Sequence, residues 1–227
     1  MGVVAALNAE ARTLGPAMPR SDGLFLLGDG TLLAVSGMGG ALAAGAARRL
    51  LDAGAAALMS FGLAGGLDPA LRAGAVVLPR EIVSRGGTRF AASLDWLERL
   101  GAALADQRSI SRGTLLSDVE PIGSVAHKAE AFRSSGAVAA DMESFAVAEV
   151  AARHRVPFVA LRVIVDTARD ALPRAVVAAS RGGRVSIARL LGGLGAAPWE
   201  LLAMVRLAAR YRTAMHVLAL AGQSRTA

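Results

Sequence analysis

The feature that most constrains the fold is a run of mostly apolar residues, 156–165, that ends directly at an acid, Asp166. Val, Leu and Ile dominate this run and fall on both of its faces, which is typical of a strand buried in the middle of a sheet. Such a strand must be covered by other elements on both faces. The segment therefore favours an α/β fold.

The rest of the chain alternates between strand and helix patterns. Further strands are predicted at residues 2–7, 55–61, 75–78, 114–116 and 137–140, with a hairpin formed by 24–27 and 31–35 around Gly28-Asp29-Gly30. Helices are predicted from a glycine-rich opening at 37–40 to about 53, and at 93–105, 125–132 and 144–153. The glycine-rich residues 62–66 predict a loop. Without a repeat or a linker, we expect one domain over residues 1–227.

Composition excludes several classes of protein. With 227 residues, 54% of them hydrophobic, the chain can bury one sizeable core. It has no cysteine, which excludes disulfides and thiolate metal sites, and its three histidines are isolated without metal-binding spacing. The first ten residues lack the basic start of a signal peptide, and no apolar run clearly reaches the roughly 18 residues of a membrane span. We expect a soluble, cytoplasmic protein without a metal.

The net charge of +7 is unevenly distributed. Residues 153–227 contain 12 arginines and three acids, whereas residues 1–152 contain 13 basic and 15 acidic residues. A basic C-terminal third is typical of a protein that meets an anionic partner, and also of one that simply carries arginine on its solvated faces. No interleaved aromatic and basic platform is visible, so we expect no nucleic-acid partner.

A helix predicted at about 198–220 carries much of this charge. It opens with Pro198 and Trp199 and alternates apolar residues with three arginines, Arg206, Arg210 and Arg212. The pattern is typical of a helix on a membrane surface, which would give peripheral contact with the inner membrane. It is somewhat more typical of a core or dimer helix with arginines on its solvated face, because amphipathic helices usually bury their apolar side in their own domain.

Three acids follow predicted strands or loops: Glu10, Glu143 and Asp166. In open α/β sheets, ligands bind beyond the carboxyl ends of the strands. Carboxylates placed there can orient water, bind sugar hydroxyls and donate a proton. The acids alone are a weak signal, because surface acids at strand ends are common.

Two longer segments make the signal specific. Residues 36–79 contain the glycine-rich opening SGMGG and the G-x-A-G-G segment of SFGLAGG. Residues 139–168 contain the M-E-x-x-A segment of ADMESFA, followed by a strand that ends in R-x-x-x-D, LRVIVDTA. Together with Glu10 after the first strand, they resemble the purine nucleoside phosphorylase and nucleosidase superfamily over most of residues 1–168.

One branch of that superfamily is most similar. The segments SFGLAGGLDPALRAG and LRVIVDTARDALPRAV, and the extended tail GGRVSIARLLGGLGAAPWELLAMVRLAARYRTA, resemble the hopanoid-associated phosphorylases. Those enzymes are proposed to remove adenine from adenosylhopane. The resemblance implies a single-domain, three-layer α/β sandwich with a central mixed β-sheet. It also implies an enzyme without a cofactor, with phosphate as an alternative co-substrate, that forms a dimer or larger homo-oligomer.

The resemblance also implies roles for individual residues. Asp166 would donate a proton to the leaving purine at N7, and Glu10 would position or deprotonate the attacking water. Glu143 would bind the ribose 2′- and 3′-hydroxyls. Met142 would pack on the sugar, and Arg162 would lie near the water or an anion. Further contacts to the purine or the anion would come from side chains or backbone amides of Gly37, Gly39, Phe61, Gly62, Ala64, Gly65 and Ile122.

The chain departs from the superfamily pattern at three places. Ser60 and Leu63 stand where phosphorolytic members have an arginine and a serine that hold phosphate, and this favours hydrolysis. Residues 117–122 contain no aromatic residue to stack on the purine. Val165 replaces the usual serine before the catalytic acid, so a hydrogen bond that steadies Asp166 must come from elsewhere.

Several functions stay open at this point. The first is cleavage of the N-glycosidic bond of a 5′-modified adenosine, with adenosylhopane as the expected substrate. The second is a nucleosidase for methylthioadenosine, adenosylhomocysteine or futalosine. The third is a non-catalytic nucleotide-binding or membrane-surface module on the same fold, against which the full set of three acids argues.

Overall fold

The computed structural model describes residues 1–105, 110–173, 177 and 201–225, with only the backbone given for 201–203. The helices of this part are α1 Asn8–Arg12, α2 Gly40–Asp52, α3 Leu94–Ala103, α4 Val125–Ser135, α5 Ser144–His154 and α6 Leu201–Gln223. The strands are β1 Gly2–Ala5, β2 Ala17–Pro19, β3 Phe25–Leu27, β4 Leu32–Val35, β5 Leu58–Gly66, β6 Val76–Val77, β7 Glu81–Ser84, β8 Arg89–Ala91, β9 Ile110–Ser111, β10 Thr114–Ser117, β11 Ala137–Asp141 and β12 Phe158–Asp166.

Within the described residues, all the strands belong to one mixed sheet. Its order is β2-β3-β4-β1-β5-β11-β10-β7-β8, while β12 pairs with β5 and β6, and β6 also pairs with β9. The long strands β5 and β12 run parallel, whereas β11 runs antiparallel to β5 at its end. The predicted hairpin is present as β3 and β4. The mixed sheet agrees with the predicted fold class.

Helices cover both faces of the sheet, because side chains alternate along each strand. On β12, Ala160 and Ile164 belong to a cluster with the buried alanines of α2 and α5. The intervening Leu161 and Val163 belong to a second cluster with residues of α3 and α6. Two cores on opposite faces of one sheet confirm the predicted three-layer α/β sandwich.

The predicted loop at residues 62–66 is wrong, because β5 continues through it to Gly66. The strand is held by parallel pairing with β12, in which Gly62 lies opposite Arg162 and Ala64 opposite Ile164. Glycine is common in turns, and the prediction followed that preference. Here Gly62 and Gly65 instead leave room beside β5 for the side chains of Glu10, Arg162 and Asp166.

The first predicted strand is shorter than expected. It ends at Ala5, and residues 8–12 form the short helix α1 instead of an extended end. Glu10 therefore lies on a helix, and its Oε2 accepts a hydrogen bond of 2.9 Å from the amide of Leu7 at the start of that helix. This bond turns the Glu10 carboxyl back towards the end of β1.

The helix predicted at about 198–220 is described as α6, and the predicted start at Pro198 and Trp199 lies outside the described residues. Its second half belongs to the core, since Ala214, Leu218 and Ala221 are fully buried. Towards its start the side chains are more exposed, Val205 among them. Among the helices of the described part, none is long and apolar enough to cross a bilayer.

Candidate active site

A cavity of about 180 Å³ opens where β1, β5, β11 and β12 end. The acids Glu10, Glu143 and Asp166 line it, together with apolar side chains such as Leu7, Met38 and Leu63. We call this cavity the carboxylate pocket. Glu10 and Asp166 meet there because β1 and β12 both run parallel to β5 and end at the same edge of the sheet. Glu143 arrives from β11, which pairs antiparallel with the last residues of β5.

Glu10 is held by the backbone on two sides. Its Oε1 accepts a hydrogen bond from the Leu63 amide and its Oε2 one from the Leu7 amide, both of 2.9 Å. The side chain is 3% exposed. Burial raises the pKa of Glu10, while the charge of Arg162 and the backbone amides act against that rise. A carboxylate whose pKa is raised is a stronger base than an ordinary glutamate, which suits a general base.

Arg162 is buried beneath the pocket and does not open into it. Its Nη2 forms an ion pair of 2.7 Å with Asp141 and donates a hydrogen bond of 2.6 Å to the hydroxyl of Ser60. Nη2 and Nε also donate to the hydroxyl of Ser144. Arg162 thus affects the pocket through its positive charge, which lowers the pKa of Glu10. Its guanidinium is already bound to Asp141, Ser60 and Ser144.

Glu143 and Met142 occupy the short segment between β11 and α5, and both line the pocket. Oε1 of Glu143 accepts a hydrogen bond of 2.7 Å from the Gly39 amide at the start of α2. Burial, followed by the charge of Asp141, raises the pKa of Glu143 to about 7, against the opposing charge of Arg162. Glu143 therefore changes its charge within the physiological pH range.

Asp166 is the last residue of β12 and also lines the pocket. It forms an ion pair with Lys128 of α4, which is itself buried. Burial raises the pKa of Asp166, and the charge and hydrogen bond of Lys128 lower it. The hydrogen bond that the sequence required from elsewhere, because Val165 cannot supply it, thus comes from Lys128.

The remaining predicted residues divide into two groups. Ile122, Ala64 and Gly65 line the carboxylate pocket, as does Leu63. Gly62 does not, but an added Cβ there would lie 2.5 Å from Oε1 of Glu10 and 2.6 Å from Nη1 of Arg162. Gly62 thus contributes to the site by having no side chain that would clash with Glu10 or Arg162.

The predictions for Phe61, Gly37 and Gly39 are corrected by the structure. The Phe61 side chain is fully buried in the cluster that includes α6, and it does not line the carboxylate pocket. The Gly37 amide donates to the carbonyl of Ala6, at 3.0 Å, and the Gly39 amide donates to Glu143. Neither amide is left to bind water or an anion.

Two charged residues at the site, Lys128 and Asp141, are not among those that the sequence predicts. Lys128 lies on a helix whose pattern is typical of a solvent-exposed helix, yet it is the only lysine among the 25 basic residues of the chain. Its uniqueness was the one sign in the sequence that this position differs from the other basic ones. Asp141 precedes the M-E motif directly, and its pairing with Arg162 depends on the contact between β11 and β12 through β5, which the local pattern does not reveal.

No group of three or more metal-ligating side chains occurs among the residues that the structure describes. His127 and His154 lie on α4 and α5, and His216 is exposed on α6. None of the three lines the carboxylate pocket. The chemistry of the pocket is that of carboxyl groups.

Solved structures of nucleoside-cleaving enzymes share this fold. The 5′-methylthioadenosine/S-adenosylhomocysteine nucleosidase from Neisseria meningitidis, in complex with methylthio-immucillin-A, is 20% identical, with a TM-score of 0.75 over 100% of this chain and 98% of that chain. The corresponding nucleosidase of Helicobacter pylori is 17% identical, with a TM-score of 0.66 over 88% and 97%. Futalosine hydrolase of the same species is 18% identical, with a TM-score of 0.63 over 73% and 86%.

These likenesses define the class, a three-layer α/β protein with the fold of nucleoside N-glycosidases. The chain belongs to the Phosphorylase superfamily, whose family model matches residues 24–194. It is therefore an enzyme of the nucleosidase or nucleoside phosphorylase kind, in a family that generally works without a cofactor. No curated protein sequence matches it significantly.

Proposed function

We propose that this protein hydrolyses the N-glycosidic bond of a 5′-substituted adenosine. The observation that carries the proposal is the convergence of Glu10, Glu143 and Asp166 on one pocket, each with a raised pKa. Cleavage of an N-glycosidic bond leaves positive charge on the sugar and negative charge on the departing base. Carboxyl groups placed on either side of the bond can stabilise the first and protonate the second.

The proposed steps follow from the positions of the three acids. The bond between C1′ and N9 breaks as Asp166 donates its proton to N7 of the purine, which leaves as the neutral base. Glu10 accepts a proton from water, whose oxygen forms the new bond to C1′. Glu143 accepts hydrogen bonds from the 2′- and 3′-hydroxyls, which a carboxylate can take as a fork. The proton that Asp166 gives up and the one that Glu10 gains balance over the reaction.

Hydrolysis is favoured over phosphorolysis by the charges around the pocket. Ser60 is fully buried against Arg162, and Leu63 presents an apolar side chain with its amide bound to Glu10. The two described cations nearest the acids, Arg162 and Lys128, are already paired with Asp141 and Asp166. A phosphate dianion would meet carboxylates without an unpaired cation among these residues to hold it.

We further propose adenosylhopane as the substrate. Support comes from the apolar lining around Leu7, Met38 and Leu63, which suits a hydrophobic 5′ group, and from the exposed start of α6, with Val205 and Arg206, as a peripheral membrane contact. Methylthioadenosine is the second candidate. It is favoured by the likeness to structures of nucleosidases for that substrate.

The substrate and the nucleophile are tested together by measuring the release of adenine from adenosylhopane in detergent and from methylthioadenosine, each with and without phosphate. We expect phosphate-independent release from the lipid substrate. A strict requirement for phosphate would contradict the hydrolytic proposal. Faster release from methylthioadenosine than from adenosylhopane would contradict the lipid substrate and select the second candidate.

A further inference from the structure

Lysine occurs once in this chain, at position 128, whereas the other 24 basic residues are arginines. This lysine lies on α4 and is 1% exposed. It is the only buried residue of that helix. A buried cation needs strong compensation, because removing an ammonium group from water is costly. The contacts of Lys128 should therefore show why this position carries lysine.

The Lys128 ammonium group meets three oxygens. It forms the ion pair with Oδ2 of Asp166 and donates hydrogen bonds to the carbonyls of Thr167, at 2.8 Å, and Asp170, at 2.9 Å. An ammonium group has three rotatable donors, and all three are used here. The planar fork of arginine could not reach the same three oxygens. The geometry therefore explains why this position differs from the other basic ones.

The contacts also tie down the segment that follows Asp166. The carboxylate of Asp170 accepts hydrogen bonds from the amide and the hydroxyl of Thr167, at 2.9 and 2.6 Å, and forms an ion pair with Arg210 of α6. Burial alone would raise the pKa of Asp170, but Arg210 and Thr167 lower it to about 2. The Lys128 ammonium is thus held between this hydrogen-bonded loop and Asp166.

We propose that Lys128 is the positioning residue for Asp166. By binding Oδ2, it fixes the carboxyl group and leaves Oδ1 to face the departing base. Its positive charge stabilises the carboxylate that forms when Asp166 gives up its proton. This inference rests on the proposed function, in which Asp166 is the general acid.

The charges that face Asp166 come from several elements. Lys128 on α4 favours the carboxylate, as does Arg210 on α6 from farther away, whereas Asp170 in the following loop disfavours it. Glu120 and Glu143 line the same pocket. Lys128 is the direct contact among these groups. Its removal should therefore raise the pKa of Asp166, because burial would then act against a weaker opposing charge.

The first test compares pH–rate profiles of Lys128→Gln and Lys128→Arg with wild type, using adenine release as the assay. Without the cation, Asp166 keeps its proton to higher pH, so the alkaline limb of kcat/KM should move up by about one pH unit or more. We expect kcat to fall about ten- to hundredfold, with a smaller change in KM. Lys128→Arg should lose kcat but leave the alkaline limb in place, because the charge remains.

The second test does not depend on the folding of a Lys128 variant. Lysine labelled with ¹⁵N at its side chain gives one Nζ signal in this chain, since only one lysine is present. In Asp166→Asn, we expect this signal to shift and to lose the pH-dependent change that the protonation of Asp166 causes. The matched control is Asp52→Asn, at the exposed end of α2, in which the signal should stay unchanged.

The outcomes separate the two proposals. If wild type releases no adenine from any nucleoside, the proposed function fails, and the Nζ signal still reports whether Lys128 senses Asp166. If wild type is active while Lys128→Gln keeps the wild-type kcat and alkaline limb, the positioning role is wrong. An Nζ signal that is identical in wild type and Asp166→Asn would overturn it as well.

Discussion

At the scale of single residues, Gly62 has no side chain, and this leaves the space beside β5 that the side chains of Glu10 and Arg162 occupy. An added Cβ would lie within 2.6 Å of both Glu10 and Arg162, so one of the two would have to move. We expect Gly62→Ala to lose about 1–3 kcal/mol of unfolding free energy through overpacking. Displacement of Glu10 should also lower kcat/KM, by about a hundredfold. Denaturant unfolding and the adenine assay measure the two effects.

Gly45 on α2 is the matched control for this substitution. A Cβ added there meets nothing within 4 Å, and the residue lies inside a helix. Gly45→Ala should therefore stabilise the protein by about 0.5–1 kcal/mol and leave activity unchanged. If Gly62→Ala behaves like Gly45→Ala in both assays, the close approach of Glu10 and Arg162 is not important for the reaction.

The sequence predicts these residues to different degrees. Glu10, Glu143 and Asp166 could be found because each follows a recognisable strand or motif, and strand ends gather at one edge of an α/β sheet. Lys128 could not be placed in this way, because α4 is amphipathic only weakly and its lysine resembles a solvated one. The position of Phe61 could not be predicted because the local sequence does not show that α6 packs over this part of β5 and buries the ring.

At the scale of elements, α6 resolves into two parts. Ala214, Leu218 and Ala221 follow the spacing of one helix face and are buried against the sheet, as in an ordinary core helix. Only the exposed first part of α6 supports the proposed contact with a membrane surface. The sequence predicts the helix, and its three arginines, Arg206, Arg210 and Arg212, all precede the buried residues, which is the signal it offered for this division.

Two leucines of α6 test the division directly. Leu218 is fully buried, whereas Leu220 is 40% exposed. We expect Leu218→Ala to cost about 2–5 kcal/mol of unfolding free energy, since it removes buried methyl groups and leaves a cavity. Leu220→Ala should change it by about 0.5 kcal/mol or less. Equal losses in denaturant unfolding would contradict the placement of this helix in the core.

At the scale of the whole molecule, three buried acids make stability depend on pH. The pKa of Glu143 is about 7 in the folded protein against 4.5 for an ordinary glutamate, and those of Glu10 and Asp166 are raised too. A raised carboxyl pKa favours the folded state while the group is protonated. For Glu143, this stability is fully present below about pH 4.5 and is lost as the pH rises through about 7.

Unfolding free energies measured from pH 4.5 to 8 check this dependence. Wild type should become less stable over the range, and Glu143 should contribute at most about 3 kcal/mol of the change. Glu143→Gln keeps an acceptor for the Gly39 amide but has no charge, so its stability should fall less steeply. Parallel curves for wild type and Glu143→Gln would show that Glu143 titrates like an exposed acid.

The measurement that tests the proposed function most directly is the initial rate of adenine release from a 5′-substituted adenosine, wild type against Asp166→Asn. Asparagine has a similar shape but no acidic proton to give to the base. We expect release by wild type and a loss of about 10²- to 10⁴-fold in the variant, with Gly45→Ala at the wild-type rate. Equal rates for wild type and Asp166→Asn would contradict general acid catalysis by Asp166. No release by wild type from adenosylhopane, methylthioadenosine or futalosine would contradict the proposed function itself.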